Sequence, residues 1–331
     1  MRWIYFTALL HAWAAIRGAE PVGYYNAAAG LTGTALRSAL HNIIDDHTPI
    51  SYSAAENALK VTDEDPANSA NVILIYKRES KPKSDFGGGT NQWNREHVWP
   101  NSLGIDDAAP AYSDLFNLRP ADVNVNSDRG NLPFDESLPG SSGYQKPAHA
   151  EAALCSQDSN SWEPPTIVKG DIARGIFYMD IRYEGGSGEP NLQLTDNLAL
   201  VTTSASYMGK LATLLVWHFI DPVDDAERAR NDVVYSNYQG NRNPFIDHPE
   251  WVEAIYGPTL QLLASPVSGT IKLAWPAILP SDLSILRVST DLVNWSTQTV
   301  SPSVSGLWKE QSFPFSGTRR FYHLRVHEKD G

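Results

Sequence analysis

Hydrophobic spacing changes character at Gly257-Pro258, and that break limits the chain to a helix-rich body followed by something built only of strands. Before it, apolar residues recur every three or four positions, the spacing that places them on one side of a helix. Residues 31–44 carry Leu36, Leu40, Ile43 and Ile44 on one face, and residues 171–183 turn Ile172, Ile176 and Phe177 inward. Residues 207–219 read as a further helix. Another is expected to start at Asp221-Pro222, with Asp224 and Asp225 at its positive end, and to stop near Gly240. A last one follows Asp247-His248-Pro249 and ends at Gly257. Residues 71–76, Asn-Val-Ile-Leu-Ile-Tyr, read as a buried strand. After the break the period falls to two: residues 271–275, 286–288, and 321–326, where Tyr322, Leu324 and Val326 share a face. The expected fold is α+β, with a mostly helical body over 20–257 and a small all-β module of about four to six strands over 258–331.

Residues 1–19 have the pattern of a secretory signal: Arg2, an apolar run through Phe6, Leu9, Leu10 and Trp13, then Gly18 and Ala19. No later stretch is long and apolar enough to cross a bilayer as a helix, so the chain is expected to be secreted or periplasmic, and monomeric. Export permits disulfides, yet Cys155 is the only cysteine, so the fold must rest on core packing. With 42% apolar residues, ten Trp and fourteen Tyr, the chain has the material for that. Cys155 sits in a polar stretch, Cys155-Ser156-Gln157-Asp158, and reads as incidental rather than nucleophilic. The formal charge of −12 counts against a protein that coats itself in nucleic acid. An enzyme that touches few phosphates needs only a local basic groove, so an uneven charge distribution is expected.

Two segments carry most of the chemistry. In Trp93-Asn94-Arg95-Glu96-His97-Val98-Trp99-Pro100 a carboxylate adjoins an imidazole. Neighbours on a strand face opposite ways, so the two can serve one site only where the strand ends or twists. Pro100 and the turn-like residues 101–104 supply such an end. The second segment holds Leu115, Phe116 and Leu118 as a short apolar strand, then a short helix after Pro120 with Asn131 near its far end. Gly87-Gly88-Gly89 reads as a hinge before the first segment.

Strand, loop, strand and helix in this order resemble the ββα-metal (His-Me finger) motif, and more closely the endonuclease I family of secreted and periplasmic nucleases. The match is carried by residues 93–100, by Asp114-Leu115-Phe116-Asn117-Leu118-Arg119-Pro120, and by Asn126-Ser127-Asp128-Arg129-Gly130-Asn131. Residues 169–179 and 239–249 also match, and the likeness spans roughly residues 24–257. It implies that His97 is the general base that activates water. It also implies that Glu96 and Asn131 bind one divalent metal, Mg²⁺ above all, with Ca²⁺ or Mn²⁺ as alternatives. One carboxylate and one amide oxygen suit Mg²⁺, which keeps several waters, and an imidazole of pKa near ~6.5 suits proton abstraction near neutrality. The implied activity is largely sequence-nonspecific endonucleolytic cleavage of DNA, often of RNA too, leaving 5′-phosphates. An arginine should stabilise the phosphate. Arg119, Arg129, Arg174 and Arg242 lie in matched blocks, with Arg119 and Arg174 the candidates and a structural ion pair the competing role for each.

His218 is expected to pack inside its helix, and His248, His323 and His327 show no metal-site spacing. Trp275, Trp295 and Trp308 read as the small core of the tail module. Two other readings remain open: a secreted binding protein on an inactive nuclease-like body, and a phosphodiesterase for a smaller substrate. Intact Glu96, His97 and Asn131 favour the nuclease.

Overall fold

The computed structural model describes residues 20–326 apart from 106, 108–109, 187, 204, 257–260, 263–269, 277–283, 291–293, 295, 306–307 and 315–320. The signal segment, the Gly257-Pro258 break, Trp295 and His327 lie outside the described residues, as do the side chains of Trp308 and His323.

Helices form the body. Gly33–Ile44 buries Leu36, Leu40 and Ile44, the expected stripe. Lys169–Arg182 is the central helix and has buried residues on every side. Leu211–Ile220 and Glu250–Tyr256 follow the expected positions, although residues 207–208 form a short strand before the first of these. The helix expected at Asp221 instead starts with Asp224 as its cap and runs over Asp225–Val234. Asp221 serves the central helix instead. Its Oδ2 accepts the Gly170 N–H at 2.8 Å, satisfying a donor in that helix's first turn. Gly170 permits that approach, because a Cβ there would collide with the Asp221 carbonyl oxygen.

Two differences from the sequence reading have physical causes. Tyr52–Thr62 is a helix that the reading missed; Ser51 caps it by accepting the Ala54 N–H, and its inner face is the small stripe Ala55, Ala58 and Leu59. The strand expected at 71–76 covers Asn68–Ile73 instead. Leu74, Ile75 and Tyr76 are buried as expected, but in a turn that Arg78 N–H closes onto the Leu74 carbonyl.

The segment of chemical interest is a two-stranded antiparallel ribbon, Trp93–His97 against Leu118–Asp122, with Glu96 opposite Arg119 and His97 opposite Leu118. The apolar run at 115–118 thus enters the ribbon only at Leu118. The short helix Val123–Arg129 follows directly, capped by Asp122, whose carboxylate accepts from the Asn124 and Val125 N–H groups. Asn126 Nδ2 donates to Asn94 Oδ1 at 2.7 Å and fixes that helix to the first strand.

Beyond the last helix the described residues form strands only. One sheet has four strands, including Thr270–Pro276 against Trp308–Pro314, and another has three, including Ser284–Ser289 against Phe321–Val326. Trp275, Ile271, Leu273, Leu286 and Phe313 share a small core that takes in Val216 of the Leu211–Ile220 helix. The main core lies upstream and holds Trp93, Trp99, Trp162 and Trp217 fully buried. Each large apolar side chain so buried contributes about 1.5–3 kcal/mol, which is how an exported chain with one cysteine can hold together.

Candidate active site

The ribbon ends at His97, so Glu96 and His97 leave the last strand positions on opposite sides. Glu96 turns inward, 2% exposed. Tyr76 donates its hydroxyl to Glu96 Oε1 at 2.6 Å, and Arg129 Nη1 lies 3.2 Å from the same oxygen. Burial pushes the carboxyl above its ordinary range, while Arg129 and the Tyr76 hydroxyl oppose that push. Arg129 also donates to the His97 carbonyl at 3.1 Å and to the Val98 carbonyl at 2.8 Å. One guanidinium at the end of the short helix therefore ties both residues of the Glu-His pair to that helix.

His97 lies on the other side of the strand, packed against two tyrosines that also touch each other. Its ring stacks on Tyr52 at 5.6 Å and tilts against Tyr112 at 4.8 Å. Its Nε2 is 2.9 Å from the Tyr112 carbonyl oxygen. A carbonyl can only accept, so Nε2 carries the proton in the neutral ring and Nδ1 keeps the lone pair. Burial lowers the imidazole pKa to about 4, with Arg95 and Arg129 adding to the effect and the Tyr112 carbonyl opposing it. The ordinary value assumed from the sequence does not hold, because the ring is packed against aromatic neighbours. At neutral pH the ring is uncharged.

Asn131 lies two residues past the short helix, beyond Gly130, whose φ of +55° takes the chain out of the helix at little steric cost. Its side chain is exposed and has no hydrogen bond among the described residues. Glu96 Oε2 likewise has no partner among them. The two side chains carry one carboxylate oxygen and one amide oxygen without a hydrogen bond among the described residues, donor types that suit a hard divalent cation keeping most of its water. Among the described residues no three His, Cys, Asp or Glu side chains cluster as a metal site, so a protein-only cage is not what these residues build.

The two arginines expected at the phosphate are engaged elsewhere. Arg174 is fully buried; it pairs with Glu227 through both Nε and Nη2, and Nη1 donates to the Asp221 carbonyl at 2.8 Å. That corrects its assignment: a side chain with no access to solvent cannot meet a phosphate, and Arg174 is a structural ion-pair partner. Arg119 is 15% exposed and lies 3.2 Å from both Asp63 and Asp171. Arg242 is held by Asp247 and Asp232. Arg95 is the cation on the face of His97, two residues earlier in the strand; it lies 3.5 Å from the Tyr52 ring centroid and donates to the Tyr52 carbonyl.

Tyr76, Tyr52 and Tyr112 escaped the sequence reading. Each meets the Glu-His pair only through the fold, and no spacing in the sequence announces such a contact. Cys155 is fully buried, not in an open polar loop; its thiol points at the Tyr76 carbonyl and burial raises its pKa to about 12. His218 is packed, as expected, with its ring nitrogens against Arg174 and the Pro249 carbonyl. At the glycine run, Gln92 folds back, accepting the Gly89 N–H at 2.7 Å and donating to the Phe86 carbonyl.

Residues 32–250 match the family model described as Endonuclease I. An extracellular ribonuclease of Bacillus amyloliquefaciens is 54% identical over 239 residues, covering 72% of this chain and 79% of the relative. An extracellular ribonuclease of Bacillus subtilis (strain 168) is 51% identical over 234 residues, covering 70% and 78%. A protein of Buchnera aphidicola named Endonuclease-1 is 28% identical over 138 residues, covering 40% and 44%. The first two names correct the expectation of a DNA endonuclease: the relatives that share half of the aligned residues are named for RNA.

Proposed function

This chain belongs to the Endonuclease I family, and from that premise we propose that it is a secreted, Mg²⁺-dependent hydrolase of RNA phosphodiester bonds with His97 as general base. The chain is an enzyme of a metal-dependent nuclease family. RNA as substrate rests on the two extracellular ribonucleases, each of which aligns over most of its own length.

The observation that carries the role of His97 is the bond from its Nε2 to the Tyr112 carbonyl. It holds the ring in the tautomer that presents the Nδ1 lone pair, and the lowered pKa keeps that lone pair unprotonated at neutral pH. His97 Nδ1 takes the proton of the attacking water. Glu96 Oε2 and the Asn131 amide oxygen would hold the metal, which when bound neutralises phosphate charge and stabilises the leaving oxygen. Tyr76 and Arg129 orient Glu96 by fixing its other oxygen. Arg95, on the face of His97, is the cation placed to attract the phosphate. The strands after Tyr256 contribute none of these residues and in this reading form a module appended to the catalytic body.

The test is hydrolysis of a defined RNA by the mature protein with Mg²⁺ and with chelator. Cleavage that is lost on chelation and restored by Mg²⁺ supports the reading. RNA left intact at every divalent metal tried overturns it.

A further inference from the structure

Three rings meet at the catalytic strand. Tyr52 and Tyr112 lie 4.4 Å apart, and each is also packed on His97. Both tyrosines are half-buried and line an open cleft of about 320 Å³. Pro49, Ile50 and Pro110 add apolar wall, Ser51 and Ser113 are its small polar residues, the Ser113 hydroxyl being spent on the Ile50 carbonyl, and Asp107 is the charged residue among its described lining. That described lining includes no lysine or arginine.

We propose that this cleft is a nucleobase subsite, taking the base of a nucleotide next to the bond that is cut. The inference rests on the reading of the chain as an RNA hydrolase and names the part of the substrate that the aromatic wall receives. Its chemistry decides between the parts of a nucleotide. A phosphate needs cations or N–H donors, and here it would meet a carboxylate. A planar, weakly polar base finds the Tyr112 ring, the part of Tyr52 that Arg95 leaves uncovered, and proline edges, surroundings that suit an unpaired base. Asp107 accepts hydrogen bonds from base N–H groups and repels the sugar-phosphate backbone. Position agrees: the rings that line the cleft touch the imidazole, so a base held there sets its own phosphate beside His97 and Arg95. Stacking is tolerant of base identity, which suits the largely sequence-nonspecific cleavage expected of the chain.

The test is direct binding, measured calorimetrically with the full mature chain and Mg²⁺, of adenosine 5′-monophosphate and of ribose 5-phosphate. These share the sugar and phosphate and differ at C1′, where the nucleotide carries its base and the sugar phosphate a hydroxyl. The nucleotide is expected to bind about ten-fold tighter or more, the order that one base–aromatic stack supplies. Tyr112→Leu is expected to remove that advantage and Tyr112→Phe to keep it, since stacking needs the ring and not the hydroxyl. Equal affinities for the two ligands in the wild type overturn the subsite without using any variant that could misfold. An advantage that survives Tyr112→Leu also overturns it. RNA hydrolysis is scored separately. A wild type that cleaves RNA without base-dependent binding loses the subsite and keeps the hydrolase; one that prefers the nucleotide but leaves RNA intact loses the hydrolase and keeps the subsite.

Discussion

Tyr76 and Glu96 are joined by a 2.6 Å hydrogen bond across 20 positions of sequence, inside the protein and one residue from His97, the proposed general base. Arg129 binds the same carboxylate oxygen, so Glu96 presents its other oxygen in a fixed direction. Tyr76→Phe keeps the ring and removes the bond. A hydrogen bond to a charged group contributes about 1.5–3 kcal/mol, and outer partners of a metal ligand commonly tune affinity by about ten- to a hundred-fold. The variant is expected to lose stability on that order in urea unfolding and to need about ten-fold more Mg²⁺ for half-maximal RNA cleavage. An unchanged Mg²⁺ requirement would remove Tyr76 from the site.

Arg174 and Glu227 form a buried pair, and removing one partner strands the other. Arg174→Met is expected to cost about 3–5 kcal/mol in denaturant unfolding. The double variant Arg174→Met with Glu227→Leu should recover much of it, because no unpaired charge remains. A single variant that unfolds like wild type but cleaves RNA poorly would return Arg174 to the catalytic residues.

Asp63 gives a pH dependence. Burial alone would raise its carboxyl, but Arg230 and then Arg119 outweigh that and hold it below the ordinary value. A carboxyl lowered on folding contributes fully above the unfolded value of ~4 and loses that contribution as pH falls through its folded value. Unfolding midpoints should therefore fall below about pH 4, and Asp63→Asn should flatten the fall while lowering stability at neutral pH. A wild-type acid slope that is identical in Asp63→Asn would assign the effect elsewhere.

Cys155 is buried with its thiol pKa raised to about 12. Iodoacetamide is expected to leave it unmodified in the native protein and to label it fully in urea, as mass spectrometry would show. Rapid native labelling would mean that the loop over it opens.

The ribbon and helix that carry Glu96, His97 and Asn131 were legible because they are contiguous: a strand that ends near Pro100 and a short helix after Pro120 with Asn131 near its far end. The helices with an apolar stripe of Leu and Ile were legible for the same reason. Residues 52–62 were not, because Ala55 and Ala58 make a stripe too small to stand out. Tyr76 was read as part of a strand, since a buried apolar run looks alike whether it is paired or turned. Tyr52 lies far from His97 in sequence, as Glu227 and Asp221 do from Arg174, and composition gives no hint of which arginine the fold will bury.

The measurement closest to the central claim is the initial rate of RNA cleavage by wild type and His97→Ala at saturating Mg²⁺. Loss of a general base should lower the rate by about a hundred- to ten-thousand-fold, with thermal unfolding unchanged enough to show that the variant is folded. A folded His97→Ala protein that cleaves RNA at the wild-type rate would contradict the account.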